Sequence, residues 1–331
     1  MRTTWCRKPL SQRCAQPAFP RKWVRPSPVR NRLTEEPTRV FEQVPDRIRT
    51  EIPSAPKLSD ETFVLLRDFI YSKTGIYFPE KKKYLIEGRL GKRLQLLNIS
   101  QFEHYLQLLK YGQQRETEFE SLCNIVTINE TSFFRNEAQM NAFQQKLACE
   151  ILSKKNYGSR ILRIWSAACS SGEEPYTLAM LCLEHLKPRF PDLHVEIIGT
   201  DINTAVIEMA RAAEYSHYAI RSLPELYVKK YFDNTNGIYR LRAEVKELVR
   251  FEYKNLINHQ TMRQMTHFDF IFCSNVLIYF DQQAKIQVIG DLYDSLNRGG
   301  YLFIGSSEML HRITNAFKLV SFPKTTVYKK E

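Results

Sequence analysis

The chain has 331 residues, of which 43% are apolar, enough for one large domain or two smaller ones with real cores. No apolar run approaches the roughly 20 residues of a membrane helix, which argues against a membrane-spanning protein. The seven cysteines and seven histidines are scattered without zinc-ligand spacing. This pattern argues for free thiols in a reducing compartment and against a metal site.

The net charge of +12 is concentrated at the amino terminus. Residues 1–57 contain 13 Lys and Arg against 5 Asp and Glu, so this segment carries +8 of the total. Its many prolines and its lack of apolar periodicity predict a disordered basic tail, with a targeting or anion-binding role as the alternative. The remaining 274 residues are only mildly basic, which weakens a nucleic-acid-binding interpretation.

Residues 58–154 are predicted to be entirely helical. Ser59 can cap the first helix, and a second helix is predicted at 82–97. Ser100 and Glu103 form a capping-box pattern ahead of the third helix. The apolar residues assigned to the inner helix faces are Phe63, Leu66, Ile70, Leu90, Leu94, Leu97, Phe102, Leu106, Leu109, Phe119, Leu122, Val126, Met140, Phe143 and Leu147.

From residue 160 onward, short apolar strands alternate with helices. Alternation of this kind predicts a parallel, doubly wound sheet with helices on both faces, and a ligand at the carboxyl ends of the strands. The predicted strands are 161–165, 195–201, 268–273 and 301–304, and the predicted helices are 174–186, a helix from about 203, and 281–296, with a turn at 297–300.

Residues 214–256 interrupt this alternation. The Asn-Thr-Asn-Gly sequence at 234–237 is a hairpin turn signal between strand-like segments at 227–232 and 238–241. A further strand-like segment at 249–253 could pair with this hairpin. The sequence therefore predicts a small antiparallel β insertion on the main sheet.

Two features at the predicted strand ends could bind a cofactor. The loop at 166–175 is built of small residues around Gly172, which would allow close approach of the backbone to a cofactor, although a lone glycine taken by itself favours an ordinary strand–helix turn. No G-x-G-x-x-G fingerprint is present. Asp201 ends the second strand, where an acid commonly accepts hydrogen bonds from ribose hydroxyls, but it could also cap the next helix.

Four segments, taken together, resemble one known family. Their sequences are TINETSFFR at 127–135, WSAACSSGEEPY at 165–176, FCSNVLIYFD at 272–281 and FIGSSE at 303–308. They resemble, in order, the motifs of the chemotaxis receptor methyltransferases, the CheR family. The resemblance covers about residues 58–329.

The resemblance implies a helical domain at 58–154 followed by a doubly wound, Rossmann-like methyltransferase domain at 155–331, with the β insertion at 214–256. The implied cofactor is S-adenosylmethionine (SAM), which leaves as S-adenosylhomocysteine, with no metal. Arg135 would pair with the methionine carboxylate, Glu173 rather than Glu174 would contact the cofactor, and Tyr279 would be the catalytic residue near the reacting methyl. The implied cofactor-binding residues are Asn129, Thr131, Arg135, Glu173, Asp201, Asn255, Leu256, Asn275 and Val276.

The family's activity would be methyl esterification of glutamate side chains on chemotaxis receptors. Arg89, Lys92 and Arg93 of the second helix would bind the acidic receptor helix as substrate, although a solvated helix face is the simpler explanation of such charges. The resemblance implies a cytoplasmic monomer that is recruited to membrane-bound receptor arrays without inserting into the membrane or binding nucleic acid.

Two departures from the family pattern keep alternatives open. Ser274 stands where the family commonly has Arg, and Ser306 stands where it commonly has His. A SAM-binding regulator without catalysis is therefore one alternative. A nucleic-acid methyltransferase is another: the basic tail favours it, but the Asn/Asp-Pro-Pro-aromatic pattern of amino-methylating families is lacking.

Overall fold

The computed structural model describes residues 56–331, so the predicted tail at 1–57 lies, apart from its last two residues, outside the described residues. Helices come first along the described chain, and a mixed sheet flanked by helices follows. Within residues 56–331, every helix is too short or too polar to cross a membrane.

The amino-terminal part is helical, as predicted. Ser59 caps the first helix by accepting a hydrogen bond from the Thr62 backbone N–H at 3.1 Å. Leu66 and Leu90 are fully buried in a core that these helices share. The helices are α1 (Asp60–Thr74), α2 (Lys83–Leu96) after a 3-10 turn (Glu80–Lys82), α3 (Phe102–Tyr111), α4 (Arg115–Val126), α5 (Glu137–Ala142) and α6 (Ala148–Lys154), with a π turn (Phe143–Leu147) joining the last two.

The predicted capping box is wrong. Helix α3 begins at Phe102 with Gln101 at its cap position, and no side chain caps it. Glu103 instead accepts a hydrogen bond from the Thr62 hydroxyl of α1. The Glu103 carboxylate therefore joins α1 to α3 instead of capping α3. Phe102, the first residue of α3, is fully buried.

A seven-stranded sheet follows, in the order β6-β2-β1-β7-β8-β10-β9. The first five strands of that order run parallel, and β10 and β9 are antiparallel at one edge. The strands are β1 (Ile161–Ala167), β2 (His194–Asp201), β3 (Glu214–Tyr215), β4 (Phe232–Thr235), β5 (Ile238–Leu241), β6 (Val249–Tyr253), β7 (Phe268–Cys273), β8 (Leu296–Ile304), β9 (Phe317–Phe322) and β10 (Thr325–Lys330). The helices between them are α7 (Glu173–Leu181, extended by a π turn Cys182–Leu186), α8 (Thr204–Ala212), α9 (Glu225–Tyr231), α10 (Ala243–Lys246), α11 (His259–Met262) and α12 (Gln282–Ser295), with a 3-10 turn (Leu277–Tyr279) before α12.

Three predictions about local structure need correction. The segment 249–253 does not pair with the hairpin: it forms β6, parallel to β2, so the separate antiparallel sheet contains β3, β5 and β4 and the insertion predicted at 214–256 is too long. Most of the strand predicted at 227–232 is helix α9, in which Tyr227 and Tyr231 lie one turn apart and pack together. The turn predicted at 297–300 is part of β8, which has an irregular register there.

Both faces of the main sheet are buried. Along β1, Ile164 belongs to the core on one face, and the adjacent Trp165 belongs to the core on the other. Because helices cover both faces, the edge formed by the carboxyl ends of the parallel strands remains as the place for a ligand. The predicted fold class, a helical domain followed by a doubly wound α/β domain with a small antiparallel sheet, is confirmed.

Candidate active site

A cavity of about 300 Å³ lies where the helical part meets the carboxyl ends of β1, β2, β6 and β7. Its strand side includes Asp201, Asn255 and Asn275, each following or ending a parallel strand. Its helical side includes Arg89 of α2, and residues of the segment after α4 also line it. Polar groups from several distant segments thus converge on one cavity.

Asp201 is 7% exposed and forms part of the cavity wall. Its Oδ2 accepts a hydrogen bond from Ser170 N, and its Oδ1 accepts one from Asn203 N, both at 2.9 Å. Burial raises the pKa of the Asp201 carboxyl, while these backbone donors oppose the rise. A carboxylate has about four acceptor positions, so two remain for hydroxyl groups of a ligand.

The loop after β1 packs closely against α8 at Gly172. Gly172 adopts φ = 93°, and a Cβ there would lie 2.9 Å from Ala210 Cβ. The Ser170 hydroxyl donates to Asn129 O at 3.0 Å, which joins this loop to the segment after α4. The loop is a strand–helix turn, and Cys169 and Ser170 line the cavity, so its role in cofactor binding stays a prediction.

The loop after β7 is fixed by one carboxyl group, that of Glu308. Its Oε2 accepts hydrogen bonds from Asn275 N at 2.9 Å and Gly305 N at 2.6 Å, and its Oε1 accepts one from Ile278 N at 3.2 Å. Asn275 is held in the left-handed region, with φ = 62°. A Cβ at Gly305 would lie 2.7 Å from Glu308 Oε2, so the approach of these loops requires glycine.

Two acids begin α7 and face different spaces. Glu174 lines the main cavity and accepts a hydrogen bond from the Ser166 hydroxyl at 2.7 Å. Burial raises the pKa of Glu174, and the charge of nearby Arg135 opposes the rise. Glu173 lines a second cavity next to β3 and accepts a hydrogen bond from the Ser171 hydroxyl at 2.8 Å.

Tyr279 lines the cavity within reach of the charges of Arg135 and Arg89. Burial raises the pKa of its phenol, and the positive charges of Arg135 and Arg89 oppose the rise. Its backbone carbonyl accepts a hydrogen bond from Tyr77 N at 2.9 Å, which ties the loop after β7 to the segment after α1. The phenol is therefore protonated at neutral pH and can donate a hydrogen bond.

Further hydrogen bonds join the two walls of the cavity. The Asn203 amide, which follows Asp201, donates to the Thr127 hydroxyl at 2.8 Å. The Tyr71 hydroxyl of α1 donates to Asp281 at 2.8 Å, and Asp281 also caps α12. Together these contacts fix the distance between the helical part and the strand ends.

Comparison with known families decides which family this is. The description "CheR methyltransferase, SAM binding domain" matches residues 129–326, and "CheR methyltransferase, all-alpha domain" matches residues 61–127. The chain belongs to the CheR methyltransferase family. The family resemblance drawn from the four sequence motifs is thereby confirmed, and the chain is a SAM-dependent methyltransferase.

Named CheR relatives match along most of their length. Chemotaxis protein methyltransferase 2 of Vibrio cholerae is 35% identical over 82% of this chain and 94% of its own. Chemotaxis protein methyltransferase 1 of Pseudomonas aeruginosa is 33% identical over 81% and 97%, respectively. The chemotaxis protein methyltransferase of Escherichia coli K12 is 34% identical over 79% of this chain and 89% of its own.

Most residues implied by the CheR motifs come together in the main cavity. Those that line it are Asn129, Thr131, Arg135, Asp201, Asn255, Leu256, Asn275, Val276 and Tyr279. The exception is Glu173, because its neighbour Glu174 is the acid that faces this cavity. Sequence reasoning also missed the role of Glu308, although the G-x-S-E pattern contains it.

The three basic residues of α2 do not form one exposed face. The Arg89 guanidinium donates to Val126 O at 2.8 Å and lines the cavity. Arg93 forms an ion pair with Glu118 at 2.6 Å, where the Glu118 side chain is only 6% exposed. Lys92 is exposed. The charge of Arg93 is therefore paired inside the helical part, and the receptor-binding role of Arg89, Lys92 and Arg93 stays a prediction.

Across residues 56–331 there is no group of three or more His, Cys, Asp or Glu side chains that could hold a metal ion. The described cysteines are free thiols rather than disulfides.

Proposed function

We propose that this CheR protein transfers a methyl group from SAM to glutamate side chains of chemotaxis receptors, forming methyl esters and S-adenosylhomocysteine. The observation that carries the proposal is the convergence of residues from separate segments on one cavity at the carboxyl ends of parallel strands. The relatives named chemotaxis protein methyltransferases supply the class of substrate.

The residues around the cavity fit SAM in the chemistry of its parts. Asp201 has acceptor positions for ribose hydroxyls, and buried Leu256 offers an apolar contact for the adenine. Arg135 would pair with the methionine carboxylate, and Glu174 would pair with the α-amino group. Asn129, Thr131, Asn255, Asn275 and Val276 complete the proposed cofactor site, and Glu173 stays a candidate for it because Asn129 and Thr131 line its cavity as well as the main one.

When bound, SAM supplies a methyl group already activated by the sulfonium charge. The glutamate side chain is ionised at neutral pH, since its ordinary pKa is about 4.3, so no general base is required. The chain's residues therefore align the acceptor and exclude water. Tyr279 would donate a hydrogen bond from its protonated phenol to one carboxylate oxygen and leave the other to attack, and Arg89 would attract the acceptor.

The wider architecture follows from the same proposal. We assign 58–154 as the helical domain and 155–331 as the methyltransferase domain, and we expect the enzyme to act as a cytoplasmic monomer at receptor arrays. Lys92 and Arg89 remain candidates for receptor binding, one from the exposed face of α2 and one from the cavity wall.

The test is incubation with methyl-labelled SAM and membranes that contain chemotaxis receptors. The expected result is label on the receptor that is released by mild base, as a methyl ester requires. Base-stable label on added RNA would instead support the nucleic-acid alternative. Binding of S-adenosylhomocysteine without turnover on any receptor would support a non-catalytic regulator.

A further inference from the structure

We propose that three apolar side chains at the cavity mouth dock the turns of receptor helix on either side of the target glutamate. We call Tyr77, Ile128 and Ile278 the apolar rim. This inference rests on the proposed function, because it concerns how the same cavity selects its protein substrate.

The rim residues are unusual in being apolar, exposed and next to the cavity at once. Tyr77 and Ile128 are each 46% exposed and Ile278 is 51% exposed, yet all three line the cavity. They come from three separate segments: the one after α1, the one after α4 and the loop after β7. Apolar surface brought together from three directions around one opening is typical of a surface that a partner covers.

Backbone contacts fix the rim in relation to the reacting position. Tyr77 N donates to Tyr279 O at 2.9 Å, and Ile76 pairs with Phe280 in an isolated β-bridge. Ile278 directly precedes Tyr279, and its own N–H is held by Glu308. The rim therefore keeps its position beside the phenol that would orient the acceptor.

Charge around the cavity indicates how the occupant would lie. The wall formed by α2 and the turn before it contributes Lys82 and Arg89, and no acid comes from the lining residues between 74 and 89, whereas the exposed Glu130 lines the cavity from the segment after α4. An acidic residue would be attracted toward this wall, while the rim would favour uncharged, apolar neighbours. A helix that offers one glutamate flanked by apolar residues meets both conditions.

Helix geometry sets the spacing of those neighbours. Residues three or four apart lie on the same face with Cβ atoms about 5–6 Å apart. When the target glutamate enters the cavity, the residues one turn before and after it reach the mouth. Burial of the rim beneath them would also exclude water from the methyl-transfer site. The structure thus assigns substrate preference to glutamates whose neighbours one turn away are apolar.

The experiment compares Ile278→Ser with Ile286→Ser. Ile286 lies on α12, is likewise 51% exposed and does not line the cavity, so it is a matched control. The substrate is a receptor cytoplasmic fragment that the wild-type enzyme methylates, together with a version in which the apolar residues one turn from the target glutamate are serine. Covering half an isoleucine side chain corresponds to about a fivefold change in affinity.

We expect Ile278→Ser to raise KM for the normal fragment about fivefold and Ile286→Ser to leave that KM unchanged. With the serine fragment, Ile278→Ser should have little effect on KM. Ile128→Ser should behave like Ile278→Ser and serves as the second variant if the first fails to fold. If the rim and control variants have equal KM values while the wild type is active, the docking role of the apolar rim is contradicted and the proposed function stands. Absence of methyl ester on every fragment would overturn the proposed function with it.

Discussion

Glu308 touches no position that a ligand would occupy in the proposed site, yet three backbone N–H groups point at its carboxyl oxygens. Two of these belong to the loop that carries Asn275 and Tyr279. Holding Asn275 in the left-handed region costs conformational energy, and Glu308 supplies a contact that offsets it. We regard Glu308 as a positioning residue that acts through this loop.

Glu308→Gln should lower kcat by about 5- to 150-fold. The amide would place an N–H₂ group opposite N–H donors, and leaving a buried donor without an acceptor costs about 1–3 kcal/mol. The measurement is kcat at saturating receptor, together with the melting temperature. Glu252→Gln, an acid in an exposed ion pair with Arg250, is the control. A variant with lower melting temperature but normal kcat would reduce Glu308 to a purely structural role.

Asp201→Ala should weaken binding of S-adenosylhomocysteine about 10- to 150-fold. The change removes hydrogen bonds to a charged acceptor, worth about 1.5–3 kcal/mol. Asp201→Asn keeps one acceptor oxygen for the backbone donors of Ser170 and Asn203, so it should lose less affinity. Titration calorimetry measures both. Unchanged affinity in the alanine variant would remove Asp201 from the cofactor site.

At the scale of elements, α2 shows how charges spaced one turn apart can serve different purposes. Arg93→Glu would place a second carboxylate against Glu118, which also accepts a hydrogen bond from Tyr105 at 2.8 Å. Breaking such a pair leaves a buried charge uncompensated, and we expect a loss of about 3 kcal/mol in the free energy of unfolding.

Lys92→Glu, on the exposed side of the same helix, should change stability by no more than about 0.5 kcal/mol. Urea denaturation of both variants is the measurement. Similar urea midpoints for the two variants would contradict the structural role of Arg93.

Because Lys92→Glu is expected to leave the fold intact, it also tests the electrostatic attraction of the receptor to α2. KM for receptor should rise in this variant, and the rise should be smaller at high salt.

The elements that the sequence predicted best carry strong local signals. Strand β7 was predicted with its observed ends, because burial on both faces makes it apolar at every position except Asp269, whose charge is paired with Lys155. Strands β9 and β10 were missed because apolar and polar residues alternate only weakly along them, and they are stabilised by antiparallel pairing at the sheet edge. Strand β6 was assigned to the wrong sheet because its partner β2 lies about 50 residues away in sequence, and local sequence patterns do not indicate which distant strand a segment pairs with.

The site was predicted from motifs more than from spacing. Asp201 and Asn275 lie far apart in sequence, and they converge because β2 and β7 both neighbour β1 in the sheet. Asn129 is joined to them by Ser170, whose hydroxyl donates to Asn129 O. The choice between Glu173 and Glu174 could not be made, because adjacent residues at a helix start point in different directions and the loop alone decides which faces the cavity. Helical spacing placed Arg89 and Arg93 on one face without indicating that other helices cover it.

At the scale of the whole molecule, the two walls of the cavity should unfold together. S-adenosylhomocysteine at 100 times its dissociation constant should add about 2.7 kcal/mol of stability, because it binds the folded state alone. We expect one thermal transition that moves upward as a unit, since Tyr71–Asp281 and Asn203–Thr127 join the walls. Calorimetry that resolved two transitions, with one unmoved by ligand, would contradict this coupling.

Removal of residues 1–52 should leave cofactor binding and methyl transfer intact. The cut is placed before Leu58 because that side chain is buried and its backbone N–H donates to Glu87 at 3.1 Å. The measurements are affinity for S-adenosylhomocysteine and receptor methylation, with the full chain as control. A truncated protein that loses either activity would give the amino-terminal segment a functional role.

The cavity takes one wall from helices and the other from strand ends. In the proposed site, the strand ends and the segment after α4 would bind the small molecule, whose chemistry is constant, while α2 and the apolar rim would meet the protein that receives the methyl group. Substitutions in α2 would therefore alter the choice of acceptor without rebuilding the cofactor site. Related enzymes in one cell could divide a set of receptors among themselves by diverging mainly in their first helices.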